Sequence, residues 1–128
     1  MKQYLVFFPL FLCFPFINFA QSIFSNPING VNPNDSNPYI IGQIVDPNIT
    51  ATGIARGSAL FGVKANNRYN AKSWKSDELD SNAYFEFTLA RNTDHKIDFV
   101  SFVYKGQISP NGPPLFAFRS SLDGFTAN

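Results

Sequence analysis

Between Tyr84 and Ala90 the side chains alternate: Phe85, Phe87 and Leu89 share one parity, Tyr84, Glu86 and Thr88 the other. That period of two predicts a strand with one buried face, because successive side chains of a pleated chain point to opposite sides. Lys96–Lys105 (KIDFVSFVYK) is denser, with Ile97, Phe99, Ser101 and Val103 opposed to Asp98, Val100, Phe102 and Tyr104. Large apolar residues on both parities predict a central strand covered on both sides. Leu115–Leu122 sets Phe116 and Phe118 against Ala117 and Arg119 and reads as a further strand. No window carries the 3.6-residue period of an amphipathic helix.

Earlier in the chain the signals are weaker. Tyr39–Val45 is rich in β-branched residues and is closed by the turn formers Asp46-Pro47-Asn48. Ile49–Arg56 alternates imperfectly, with Ile49, Ala51, Gly53 and Ala55 on one face and Thr50, Thr52, Ile54 and Arg56 on the other. Ala59–Val63 continues this strand or forms the next. Asn92-Thr93-Asp94 and Ser109–Pro114 supply turns between the later strands. A polar island, 66–81 (NNRYNAKSWKSDELDS), divides the two halves and holds the single Trp. It is too long for a hairpin turn and is expected to cross from one sheet to another. Short strands separated by regular turn signals point to an all-β, antiparallel β-sandwich or jelly roll.

Two flanks frame this body. Residues 1–20 carry Lys2, a short apolar run from Tyr4 to Ile17 broken by Pro9 and Pro15, and a small exit residue, Ala20. This is the order of a secretory signal peptide cleaved after Ala20. The run is short of the roughly 20 residues a membrane span needs. The expected location is secreted, extracellular or at the cell surface, with no membrane insertion once the leader is removed. Residues 21–38 (QSIFSNPINGVNPNDSNP) hold three Asn-Pro dipeptides and read as an irregular lead-in, with room for a short edge strand near Ile23-Phe24. Residues 39–128 form the expected sandwich module.

Cleavage would leave 108 of the 128 residues, with nine basic against nine acidic side chains and nine of the fifteen Phe. A neutral surface gives no electrostatic case for nucleic acid. Cys13, the single cysteine, lies in the leader, so the remainder has no disulfide, thiolate metal site or thiol nucleophile. Its stability has to come from burial.

The phrases NNRYNAKSW (66–74), AYFEFTLA (83–90), IDFVSFVYKGQ (97–107) and FAFRSSLDGF (116–125) resemble a family of β-sandwich modules. Those modules stand near the N-terminus of secreted bacterial proteins that end in a type IX secretion sorting tail. The resemblance covers about residues 23–128 and is most specific at Tyr84–Phe87 and Phe118–Phe125. It implies a jelly-roll-like domain without an established activity of its own, so no catalytic residue carries over. Such modules continue for a few strands past the Asp-Gly-Phe turn, whereas this chain ends at Asn128. The expectation is a jelly-roll-like sandwich missing its last strands.

Candidate residues were weighed against plainer roles. Arg68, Tyr69 and Trp74, beside Asn66, Asn67 and Asn70, could stack on and bond a sugar; the plainer reading is that both aromatics anchor the loop on the core. Glu86 and Arg119 each oppose the phenylalanines of their own strand, and would form a cross-strand pair if those strands share a sheet. Asp77, Glu78 and Asp80 offer oxygens of the kind calcium takes, without EF-hand spacing, and read more simply as solvated. His95 stands in a turn with no nucleophile to activate. Asn34-Asp35-Ser36 and Asn48-Ile49-Thr50 match the glycosylation sequon, idle in a bacterial protein. No cofactor, metal or enzymatic activity is expected.

The functional expectation is a secreted, non-catalytic β-sandwich module with a structural, adhesive or ligand-binding role. Its partners would be an extracellular polysaccharide or matrix protein and the downstream domains of a longer protein. The alternative is an accessory front end of an extracellular hydrolase whose catalytic domain lies beyond this chain. A third reading is an open strand edge that pairs with a partner or a second copy.

Overall fold

The computed structural model describes residues 21–75 and 78–126. They form eight short strands: β1 (Phe24–Ser25), β2 (Ile44–Val45), β3 (Ile49–Ala51), β4 (Ala55–Arg56), β5 (Phe61–Gly62), β6 (Ala71–Lys72), β7 (Phe85–Glu86) and β8 (Leu89–Arg91). A single 3₁₀ turn follows at Ser121–Asp123. The strands pair antiparallel in twos, β1 with β2, β3 with β8, β4 with β7 and β5 with β6. The domain is all-β, built of several small antiparallel sheets packed together.

Two of these pairs are halves of one ribbon. β3 and β8 run in register from Ile49↔Arg91 to Ala51↔Leu89. β4 and β7 run at Ala55↔Glu86 and Arg56↔Phe85. Backbone bonds extend the ladder at both ends, Asn92 N–H to Asn48 C=O (2.9 Å) and Gly57 N–H to Tyr84 C=O (2.9 Å). Between the halves, Thr52, Gly53 and Ile54 oppose only Phe87 and Thr88, which is a β-bulge. Gly53 takes φ +79°, and a Cβ there would stand 2.5 Å from the Tyr39 carbonyl oxygen. Glycine alone meets both demands. The displaced ladder bond is replaced by a side chain: the Thr88 N–H donates to Thr52 Oγ1 at 2.8 Å.

The bulge shifts side-chain parity. Ile49 is buried on the near side, whereas beyond the bulge it is Arg56 that is buried. The expected continuous alternation over 49–56 is therefore corrected. Tyr39 joins the ribbon's free edge, exchanging both backbone bonds with Ile54 (2.8 and 3.1 Å). The expected strand over 39–45 is cut by a turn, Gln43 N–H to Ile40 C=O (3.4 Å), with Gly42 at φ +75°. Only Ile44–Val45 remains, paired with the edge strand at Phe24–Ser25.

The polar island does not cross between sheets over its first half. Phe61↔Lys72 and Gly62↔Ala71 close a hairpin around residues 63–70. The Asn/Pro-rich lead-in folds back onto that hairpin. Pro33 and Asn34 are buried. The Asn34 carboxamide donates to Asn32 Oδ1 (2.9 Å), Ala65 O (3.3 Å) and Arg68 O (3.4 Å), and accepts from the Asn70 N–H at 2.6 Å. A short polar side chain thereby does the work of a missing strand, supplying donors and an acceptor to loop backbone.

Tyr39, Ile49, Leu60 and Tyr69 are buried, and with them Arg56. Its guanidinium donates to Asn34 O (2.8 Å), Ser36 O (3.2 Å) and Asn70 O (3.4 Å). It also lies 4.3 Å from the centre of the Tyr69 ring. The planar fork reaches three carbonyls from two loops, geometry that an ammonium point charge does not reproduce.

The later expectations are overturned. Residues 95–108 and 113–119 form no strand. Neither 96–108 nor 113–119 makes a backbone–backbone hydrogen bond among the described residues. Phe99 (61% exposed), Val100 (78%), Phe116 (70%) and Phe118 (53%) stand open to solvent rather than in a two-sided core. Phe102 meets Phe87 ring to ring at 5.8 Å, but no ladder joins the 97–104 segment to β7 among the described residues, and β7 pairs only with β4. The leader expected over 1–20 lies outside the described residues.

Arg56→Met should cost about 3 kcal/mol, since three carbonyls lose a charged donor in a buried setting. Thermal denaturation followed by circular dichroism should show Tm lowered by about 10–20 °C. Arg56→Lys should recover less than half of that loss.

Candidate functional site

Tyr69 and Trp74 are brought together by a third ring. Phe85 on β7 lies 5.5 Å from Tyr69, tilted at 57°, and 5.3 Å from Trp74, edge-on at 85°. The Tyr69 ring is buried, and its hydroxyl sits 3.1 Å from Ser36 O and 2.9 Å from Asn37 Oδ1. The Trp74 indole N–H donates to Ala71 O at 3.2 Å. Both polar tips are thus spent inside the domain, on the loop that carries the rings and on the lead-in. Burial pushes the Tyr69 hydroxyl above its ordinary pKa, with the Arg56 guanidinium pulling weakly the other way.

The other named residues lie apart from this cluster. Arg68 is exposed and donates from Nη1 to Gln107 Oε1 at 2.9 Å, tying the hairpin loop to the C-terminal segment. Glu86 points outward from β7, opposite Phe85 and Phe87 in exposure. Arg119 is exposed, directly after Phe118 in a stretch that forms no strand. The expected sheet joining their two strands does not form, so the cross-strand register assumed for Glu86 and Arg119 is absent.

In the acidic loop Asp77 lies outside the described residues. Lys75 Nζ stands 3.6 Å from Glu78 and 3.5 Å from Asp80. The two carboxylates hold the Lys75 ammonium above its ordinary pKa, Asp80 contributing most. The Asn82 N–H, donating to Asp80 Oδ1 at 2.9 Å, holds that carboxyl below the usual range. Among the described residues no three His, Cys, Asp or Glu side chains gather as metal ligands. His95 is exposed, and its N–H closes the turn onto Asn92 O at 3.2 Å.

A second aromatic group, which alternation had assigned to the interior, lies on the surface. Phe24 stacks on Phe87 (5.2 Å), Phe87 on Phe102 (5.8 Å), and Phe102 meets Phe118 edge-on (5.4 Å). Tyr104 and Phe116 complete the row, 5.4 and 5.7 Å from Phe118. One end of the row is anchored by Phe24 on β1 and by Phe87 just beyond β7; at the other, Phe102, Tyr104, Phe116 and Phe118 are all exposed. Beside it Leu79, Leu115, Phe116, Ala117 and Phe118 line an open hollow of about 430 Å³. Its lining is apolar. Sugar recognition needs convergent polar groups as well as ring faces, and these five side chains supply none.

At the opposite end of the row, Asn26 and Gln43 continue the β1–β2 register. Asn26 Nδ2 and Oδ1 and Gln43 Oε1 are buried without a hydrogen-bond partner. No helix among the described residues is long and apolar enough to cross a membrane. No protein-family model, curated protein or solved structure matches the chain.

Tyr69→Phe should cost about 1–2 kcal/mol through the lost hydroxyl contacts. Because the folded pKa is raised, the hydroxyl's contribution is complete below its ordinary value of 10.0 and fades as pH rises through the folded value. Urea melts across alkaline pH should therefore show a steeper loss in the wild type than in Tyr69→Phe.

Proposed function

We propose that this chain is an exported, non-catalytic jelly-roll-like module of an extracellular or cell-surface protein, acting by docking protein through an exposed aromatic row. One observation carries the reading. The aromatics of the polar island are consumed in packing, while Phe102, Tyr104, Phe116 and Phe118 form a contiguous row that solvent reaches. Surface patches of this kind mark contact sites more often than idle surface. The leader-like residues 1–20 support export, and the resemblance to modules of proteins with a type IX sorting tail supports a place in a larger surface protein.

A protein partner is favoured over a polysaccharide. The hollow beside the row is apolar, and residues 96–108 make no backbone–backbone hydrogen bond among the described residues. An extended polypeptide satisfies both; a sugar satisfies neither.

Retention of the purified protein should be measured on insoluble polysaccharides, on matrix-protein coats and on coats of the protein itself. The expected result is retention on a protein coat, reduced about tenfold or more by Phe102→Ser with Phe118→Ser. Trp74→Ala should instead lower Tm. Retention on polysaccharide alone, lost in a folded Trp74→Ala variant, would overturn the reading.

A further inference from the structure

We infer that the partner of this row is a second copy of the chain, joined by antiparallel pairing of residues 97–104 about Ser101. The inference rests on the docking reading above and names its partner. The segment has no turn, bend, helix or ladder, and both of its alternating faces are apolar. Its ends carry Lys96 and Lys105. Lys96 is held by Asp98 at 2.8 Å, both side chains largely exposed.

Area argues for a partner as large as a protein. The large apolar side chains between Phe99 and Phe118 (Phe, Tyr, Val, Ile and Leu) are 49 to 82% exposed. At roughly 150–250 Å² for a whole aromatic side chain, they leave roughly 1,000 Å² open. A standard interface needs about 800 Å² from each partner.

Charge and symmetry argue for a second copy in one register. A two-fold axis perpendicular to an antiparallel pair leaves each residue on its own face, so the axis must pass through a residue. Placed at Ser101, it sets Val100 against Phe102 of the second copy and Phe99 against Val103. Asp98 meets Tyr104, and Lys105 lies along Ile97. No like charges face each other. Parallel in-register pairing would instead set Lys96, Asp98 and Lys105 against themselves, which cross-strand neighbours resist. The smallest side chain of the segment falls at the axis, where two copies of one residue must share a site. Each strand also gains hydrogen bonds for backbone groups that have none within the described chain.

The test uses single cysteines in a Cys13→Ser background. Ser101→Cys brings two thiols face to face, and a disulfide-linked dimer should form spontaneously under mild oxidation. Val103→Cys places its thiols roughly 14 Å apart at about 3.4 Å per residue, beyond the reach of a disulfide. Comparable cross-linking at both positions would overturn the register. Sedimentation velocity of the unsubstituted protein should show a concentration-dependent dimer, weakened by Val100→Pro, which removes a ladder donor when the Ser101 pair is the close, non-hydrogen-bonded one. A monomer at every soluble concentration would overturn the inference outright. Absence of the Ser101 cross-link, with retention on matrix coats still lost in the Phe102/Phe118 double variant, sinks the second copy and leaves the docking reading standing.

Discussion

The domain depends on a guanidinium held among carbonyls. Among the described residues Arg56 has no carboxylate partner; its charge is offset by Asn34, Ser36 and Asn70 oxygens and by the Tyr69 ring. A buried ion is costly unless its hydrogen bonds are met, and here they are met by loop backbone. The consequence runs outward. The lead-in is fastened because Asn34 and Ser36 carbonyls face Arg56, and the 63–70 loop is fastened because Asn70 does. Asn37 locks the same strand from outside, accepting from the Arg56 N–H at 2.8 Å and donating to its C=O at 3.2 Å. Loops with little regular structure are thereby organised around one polar centre rather than around a large apolar core.

This arrangement explains how a chain with few ladder bonds keeps a defined shape. The apolar residues it buries are few, chiefly Tyr39, Ile49, Leu60 and Tyr69. Asparagine does much of the rest. Asn34 and Asn37 present peptide-like groups where another strand's backbone would otherwise stand. The aromatic row contributes at its anchored end, where Phe24 and Phe87 stack, and little at its open end.

Much of the fold was legible from periodicity. The alternation of Tyr84–Ala90 is reproduced in exposure, with Phe85, Phe87 and Leu89 inward. The Asp46–Asn48, Asn92–Asp94 and Ser109–Pro114 turns fall where proline, asparagine and glycine placed them. The edge strand near Phe24 is present. What periodicity could not reveal was which strand pairs with which. Residues 97–104 have the composition of a central strand, but composition does not provide neighbours. Arg56 escaped notice for a sharper reason. Alternation set it on the face opposite Ile49, and only the extra residue at the bulge turns it inward. Of the candidate site, Tyr69 and Trp74 could be read either as platform or as anchor, and in the fold both rings pack on Phe85. Glu86 and Arg119 depended on a sheet that does not form.

The bulge at Thr52–Ile54 makes chain length, and not only residue type, a determinant of this fold. Adding one residue beyond it, with Gly53 still holding the bulge, would reverse the alternation again, swinging the arginine toward water and a small alanine into its place. Three carbonyls would face an empty centre, and both loops would lose their common tether. A single-codon insertion in this strand should therefore be far less tolerated than most substitutions within it.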